Sequence, residues 1–310
     1  MNISSIRQRI KPWMLPISML LGVVLHNYIG YVAFLSKYLI FIMLLITYCR
    51  VNIRDFHVGP YIGQLLAIQI VGAVTAYLIL SPFNAILAQG IFICLFCPTA
   101  TAAPVITGML GGSVSRVATY SIFSHVSAAL LAPVLLSWIS DVPHLDISFA
   151  DSISKIAITV LPLILGPLAV AFFLEKYAPK AHHTIANNQG LSFYIWALGL
   201  LIVVGNSVSF ILKEPAEMIP EILMLAGVSL LACIAQFCIG RKIGRHHGDP
   251  ISGAQSLGQK NTVLAIWLAL TYLNPIISVA PAAYVAWHNS FNSYQIYYHE
   301  KRKNKSPQRA

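Results

Sequence analysis

Apolar residues run in blocks along almost the whole chain, separated by short polar connections. About 20 apolar residues in helix are needed to cross a hydrocarbon core roughly 30 Å thick. Ten blocks of about that size are predicted as membrane helices: 13–30, 32–49, 60–80, 85–110, 114–139, 153–174, 190–212, 217–240, 249–272 and 275–297. The expected fold is an all-α polytopic membrane protein of ten transmembrane helices. Two blocks are interrupted near their middles, span 4 by "CPTATAAP" (Cys97 to Pro104) and span 9 by "SLGQKN" (Ser256 to Asn261).

Composition agrees. Of 310 residues, 57% are hydrophobic and 10% charged, and the mean hydropathy is +0.72. A soluble domain carries about 25% charged residues, so no soluble domain of any size is predicted. The five cysteines are expected as apolar fillers, and Cys94 and Cys97 have no second pair to complete a zinc site. The basic N-terminus lacks a small-x-small cleavage motif and is read as a retained first helix.

Charge then sets orientation. With both termini cytoplasmic, sixteen of the twenty Lys+Arg fall on the inside, as the positive-inside rule requires. The expected location is the inner (plasma) membrane, multi-pass. The net charge of +10 is read as a cytoplasmic face against anionic lipid rather than a nucleic-acid surface. All ten acids fall in loops or near span ends, which leaves Lys260, near the middle of span 9, as the one deep formal charge. A charge at the bilayer centre costs roughly 2.5–3.5 kcal/mol even on lenient scales.

Ten spans divide into 1–150 (spans 1–5) and 151–310 (spans 6–10 and the basic tail). Five spans per half force the second half to be inverted, and broken helices at matching positions are the sequence pointer to a transport site. "LLAIQ", ending at Gln69, and "LLACIAQ", ending at Gln236, echo each other in spans 3 and 8. The serines have no Gly-x-Ser-x-Gly setting, and neither a P-loop nor an intramembrane carboxylate pair is present, so no enzyme is expected.

At the two broken helices the sequence resembles the bile acid:sodium symporter family, of the apical bile acid transporter type. The matching residues are Cys97-Pro98, Thr101-Ala102, Val105-Ile106-Thr107, Leu131-Ala132-Pro133, Gly258, Asn261 and Trp287-His288-Asn289. The resemblance implies a panel of spans 1, 2, 6 and 7, a core of spans 3–5 and 8–10, and two sodium ions where spans 4 and 9 cross. This chain departs from that pattern. The family's Ser-Asn becomes Ala103-Pro104; its acidic ligand becomes Ser256 and its ligand glutamine Lys260. Gln69, Ser121 and Asn261 remain as oxygen-bearing candidates.

An ammonium and a sodium ion about 4 Å apart repel by about 4 kcal/mol at an effective dielectric of 20. Lys260 is therefore expected to stand in for the second sodium. Sodium is disfavoured as the coupling ion, the proton is retained as a candidate, and no metal or other cofactor is expected. Three readings of Lys260 compete: a permanent tether to helix-end carbonyls and Gln69, a group that exchanges a proton with the pH gradient, and a counter-charge for an anionic substrate. The expected crossing comprises Thr99, Thr101, Ala103, Pro104, Ser256, Gln259, Lys260 and Asn261, supported by Gln69, Ser121, His125, Gln236 and Asn289. His125 is weighed as a proton relay against a histidine bonded to Ser121 or Ser124; His288 is read as structural. The expected activity is secondary-active transport of a small organic anion, bile-acid-like or another carboxylate. Two alternatives stand beside it: a sodium-coupled symporter with an altered ion site, and a membrane sensor that does not transport. Oligomeric state is open.

Overall fold

The computed structural model describes residues 14–50, 58–140, 148–213 and 215–305. The N-terminal basic cluster, much of the central connection and the last five residues lie outside these, and with them part of the charge pattern read above. Among the described residues the chain is all-helical, and the single β-type pairing is an isolated antiparallel bridge between Thr99 and Lys260.

The helices are α1 (Met14–Val24), α2 (His26–Ile29), α3 (Leu35–Cys49), α4 (Pro60–Leu80), α5 (Ala85–Phe96), α6 (Ala103–Met109), α7 (Val114–Ile139), α8 (Phe149–Tyr177), α9 (Pro179–Asn187), α10 (Gln189–Ile211), α11 (Ile219–His246), α12 (Pro250–Gly258), α13 (Thr262–Tyr272) and α14 (Val279–Lys305). Short 3-10 turns, Ala216–Met218 and Pro275–Ser278, precede α11 and α14. Among the described residues, five segments are long and apolar enough to cross a membrane: Pro60–Leu80, Val114–Ile139, Phe149–Tyr177, Tyr194–Ile211 and Ala216–His246. The protein is an integral membrane protein. Spans 4 and 9 are each two short helices in tandem, so neither half reaches spanning length by itself.

The structure corrects the sequence reading in detail. The first break covers Cys97 to Ala102, with Ala103 and Pro104 already in the first turn of α6. The second is shorter than predicted, because Ser256, Leu257 and Gly258 still belong to α12. Helix α9 was not anticipated; it is polar, with no buried residue, and lacks the apolar block that marks a span.

The first break has a covalent cause. Pro98 has no N–H and pushes the preceding residue out of the helical region; Cys97 accordingly takes φ −55°, ψ 143°. The second has none: Gln259 turns extended at φ −90°, ψ 122° without a following proline. Gly258 permits the close packing there, since a Cβ on it would collide with the ring of Phe237.

The chain forms two compact units. One comprises Met1–Arg50, Ala129–Ile222 and Val263–Val279. Within it α1 and α10 approach backbone to backbone: a Cβ on Gly22 would stand 2.6 Å from the Leu201 carbonyl oxygen, and one on Gly205 2.8 Å from that of Gly22. Ser209 donates to the His26 carbonyl at 2.6 Å in the same unit.

The other comprises Val51–Ala128, Leu223–Thr262 and Ala280–Ala310, and contains both breaks. Its apolar centre is Tyr61, Ile62, Leu65, Tyr120 and Leu257. Here α11 and α12 touch through Gly240, Gly244 and Gly253, where a Cβ on Gly253 would lie 2.7 Å from the Gly244 Cα. Two polar residues start the broken helices: Asn84 accepts from Leu87 N at 2.9 Å, and Asp249 accepts from Ser252 N at 2.9 Å. Such N-caps satisfy amides that no helical carbonyl can reach.

Candidate functional site

A helix leaves its last carbonyls without intrahelical partners, and a break inside an apolar block buries them. Three consecutive carbonyls at the end of α5 are each met by a donor from elsewhere in the unit. Gln236 of α11 donates its amide to Cys94 O at 3.3 Å; Lys260 donates its ammonium to Leu95 O at 2.7 Å; Gln69 of α4 donates its amide to Phe96 O at 2.7 Å. An unpaired buried carbonyl costs about 1–3 kcal/mol, so the row is a strong demand for donors. Lys260 is 1% exposed, and among the described residues no Asp or Glu is buried beside it. Its compensation comes from the carbonyl and from the negative end of the α5 dipole.

The second break is satisfied largely by the first. Thr99 Oγ1 donates to Ser256 O at 2.7 Å, Ala100 N to Gln259 O at 3.2 Å, and Asn261 N to Pro98 O at 2.8 Å. Tyr284 of α14 donates to Gly258 O at 2.8 Å and accepts from the Gln236 amide at 3.0 Å. Tyr61 and Ser256 join their hydroxyls at 3.3 Å. The breaks thus form one hydrogen-bonded knot.

Gln69 differs from expectation. Its oxygen accepts from Tyr120 OH at 2.6 Å and Ser124 OH at 2.7 Å. The amide cannot be reversed, because the atom facing Phe96 O must be a donor. Gln69 therefore offers the carbonyl row a nitrogen rather than an oxygen ligand, and Lys260 is tethered to Leu95 O rather than to Gln69.

The remaining predicted residues divide. Thr99, Ser256, Lys260, Asn261 and Gln236 take part in the knot, and Gln259 joins through its carbonyl while its amide donates to Gln255 Oε1. Ala103 and Pro104 are buried in α6, where Ala103 O accepts from Thr107 Oγ1 at 2.8 Å. Thr101 is half-buried in the turn between the half-helices. Ser121 is turned to its own helix: His125 Nδ1 lies 2.7 Å from Ser121 O and 3.4 Å from Ser121 Oγ. Asn289 is half-buried on α14, and no hydrogen bond among the described residues joins it to the breaks.

Sequence reasoning missed Tyr120, Tyr284 and Tyr61, and weighed Ser124 only as a partner for His125, whereas it bonds Gln69. Their signal was available: a glutamine amid apolar residues needs partners, and Tyr120 and Ser124 share one face of α7 at i, i+4.

A cavity of about 650 Å³ lies away from the knot, where Gly111, Gly112, Ser113, Arg116, Gly248, Asp249, Pro250 and Ile251 converge. Arg116 donates to His247 O at 2.7 Å, and its guanidinium lies 5.8 Å from the Tyr61 ring centroid. Asp249 accepts from Ser113 N at 2.9 Å and from the Ser252 hydroxyl. Burial alone would raise its carboxyl; the bonds from Ser252 and Ser113, with Arg116 nearby, outweigh it and hold the group below its ordinary value. Among the described residues no cluster of His, Cys, Asp and Glu suits a metal ion.

Comparison with known proteins adds two findings. The family model described as the SBF-like CPA transporter family matches residues 54–289, which take in both breaks. A protein of Bacillus subtilis (strain 168) described as "Uncharacterized sodium-dependent transporter YocS" is 23% identical over 216 residues, 70% of this chain. The match spans 65% of that relative's length.

Proposed function

The chain belongs to the SBF-like CPA transporter family, and on that premise we propose that it is a secondary-active transporter moving a small organic anion by alternating access around the paired breaks. The observation that carries this reading is the Lys260 ammonium on Leu95 O. It places a covalently attached cation where α5 presents its carbonyl row, a position that would otherwise favour a mobile one. Coupling is to protons or to no ion rather than to sodium. The substrate is anionic because the crossing carries a positive charge and no buried carboxylate among the described residues.

The architecture proposed is ten transmembrane helices in two inverted five-helix repeats, 1–150 and 151–310, with both termini on the cytoplasmic side of the inner membrane. Matching pairs support it. Gln69 pairs with Tyr120 and Gln236 with Tyr284, though the donor is the tyrosine in the first pair and the glutamine in the second. Asn84 caps the helix before the first break as Asp249 caps the helix before the second.

A sodium-coupled symporter with an altered ion site is the second reading, favoured by the sodium dependence in the name of the Bacillus subtilis relative. Uptake by proteoliposomes tests both. A panel of labelled carboxylates is offered under an imposed proton gradient, an imposed sodium gradient, or neither. Accumulation without sodium supports the proposal; accumulation only with a sodium gradient supports the symporter. Ligand binding without flux under any gradient would mark a sensor and overturn both.

A further inference from the structure

One face of α14 carries Tyr284, His288, Asn292, Gln295 and His299, spaced at helical intervals of three or four. Both ends of this stretch are anchored. Tyr284 donates to Gly258 O at 2.8 Å, and Gln295 Oε1 accepts from the Gln255 amide at 3.2 Å. Both partners lie in α12, so the face between them is turned towards that helix. At the far end His299 Cε1 lies 3.6 Å from where a Cβ on Gly111 would stand, and Gly111 lines the 650 Å³ cavity. From Tyr284 to Gln295 is eleven residues, about 16 Å of helix.

Between those anchors the polar groups are unmatched. His288 is 0% exposed, and neither ring nitrogen has a hydrogen-bond partner among the described residues. Asn292, one turn on and 4% exposed, has a buried side-chain oxygen in the same condition. A neutral imidazole offers one donor and one acceptor, and leaving each unmet costs about 1–3 kcal/mol. Buried polar atoms in native proteins nearly always find a partner, and where protein supplies none, ordered water does.

We propose that His288 and Asn292 hold internal water, making the α12–α14 seam a hydrated polar path from the breaks to the Gly111 cavity. The amide series Gln259 to Gln255 to Gln295 runs beside it. The path gives the knot around Lys260 a solvent connection that its apolar surroundings would otherwise deny.

Solid-state NMR on the full chain in liposomes, with 15N-labelled histidine, tests this without any transport assay, so it stands apart from the function proposed above. The His288 resonance is identified among the ten histidines by its loss in His288→Phe. Rapid magnetisation transfer from water to its ring nitrogens, at hydrogen-bonded shifts, is expected. No transfer, with shifts of a non-hydrogen-bonded imidazole, would overturn the proposal. Should His288→Phe fail to fold, the Tm of Asn292→Leu decides. In a hydrated seam this near-isosteric change strips a partner from bound water and lowers Tm; in a dry one it removes an unmet oxygen, and an unchanged or raised Tm overturns the proposal.

Discussion

The Lys260 ammonium lies 2.7 Å from the Leu95 carbonyl oxygen, on the middle of three consecutive helix-end carbonyls whose neighbours are met by Gln236 and Gln69. A glutamine stands on either side of the one buried formal charge among the described residues. The row is the negative end of a helix dipole, the ammonium is its counter-charge, and Pro98, two residues past the helix, ends the helix and leaves these carbonyls without intrahelical partners.

Gln69 should matter more than Gln236. It meets three groups, Phe96 O, Tyr120 OH and Ser124 OH, whereas Gln236 meets two, Cys94 O and Tyr284 OH. Gln69→Leu is expected to destabilise by about 3 kcal/mol or more, and Gln236→Leu by about 2. Tyr120→Phe, which leaves Ser124 on the same oxygen, should cost only about 1. Thermal unfolding of the three variants in one detergent gives the order; Gln236→Leu as the most damaging would contradict it.

Asp249 predicts a pH dependence with a definite sign. Its carboxyl is held below its ordinary value in the fold. A depressed folded-state value contributes stability that is present above the unfolded value, about 3.9, and lost as pH falls through the folded one. The Tm gap between wild type and Asp249→Ala should correspond to about 1 kcal/mol at neutral pH, typical of an N-cap. It should close in strong acid. A gap that widens on acidification would show the carboxylate to be unfavourable in the fold.

The α11–α12 contact predicts a contrast between glycines of one unit. Gly253→Ala drives a Cβ to 2.7 Å from the Gly244 Cα, backbone that cannot swing aside, and should cost at least about 1–3 kcal/mol. Gly227→Ala on the same α11 meets nothing within 4 Å and should be neutral or slightly stabilising. Expression and Tm of the pair are the readout; equal behaviour would mean the close approach does not hold the helices.

Much of this was legible in the residue pattern. The span read as 114–139 is α7, Val114–Ile139, because apolar length alone defines it. The first break follows from Pro98. The second was drawn too long, because "SLG" carries no mark that its helix continues to Gly258. Helix α9 escaped because it is short and carries only Ala181, Ile185 and Ala186 among polar residues, with no apolar block to mark it. In the site, Lys260 stood out by its charge, but its partner is a main-chain carbonyl 165 positions earlier, which no side-chain pattern reveals. Gln69 was found for its polarity and given the wrong atom, since the donors that claim its oxygen come from α7.

Removing the ammonium tests the knot's energetics. Lys260→Met leaves Leu95 O unmet in an apolar setting and should lower stability by about 1–3 kcal/mol. The change also relieves the burial of a charge, so a loss well above that range would mean Lys260 holds more than this one carbonyl. Chemical denaturation in mild detergent measures it.

The central claim is that Lys260 occupies a cation's place. The most direct measurement is the Tm of the purified wild-type protein in sodium chloride against choline chloride at equal ionic strength, with Lys260→Gln alongside. The account predicts the same wild-type Tm in both salts and a lower Tm for Lys260→Gln in choline chloride. A clear sodium-dependent rise in the wild-type Tm would contradict it.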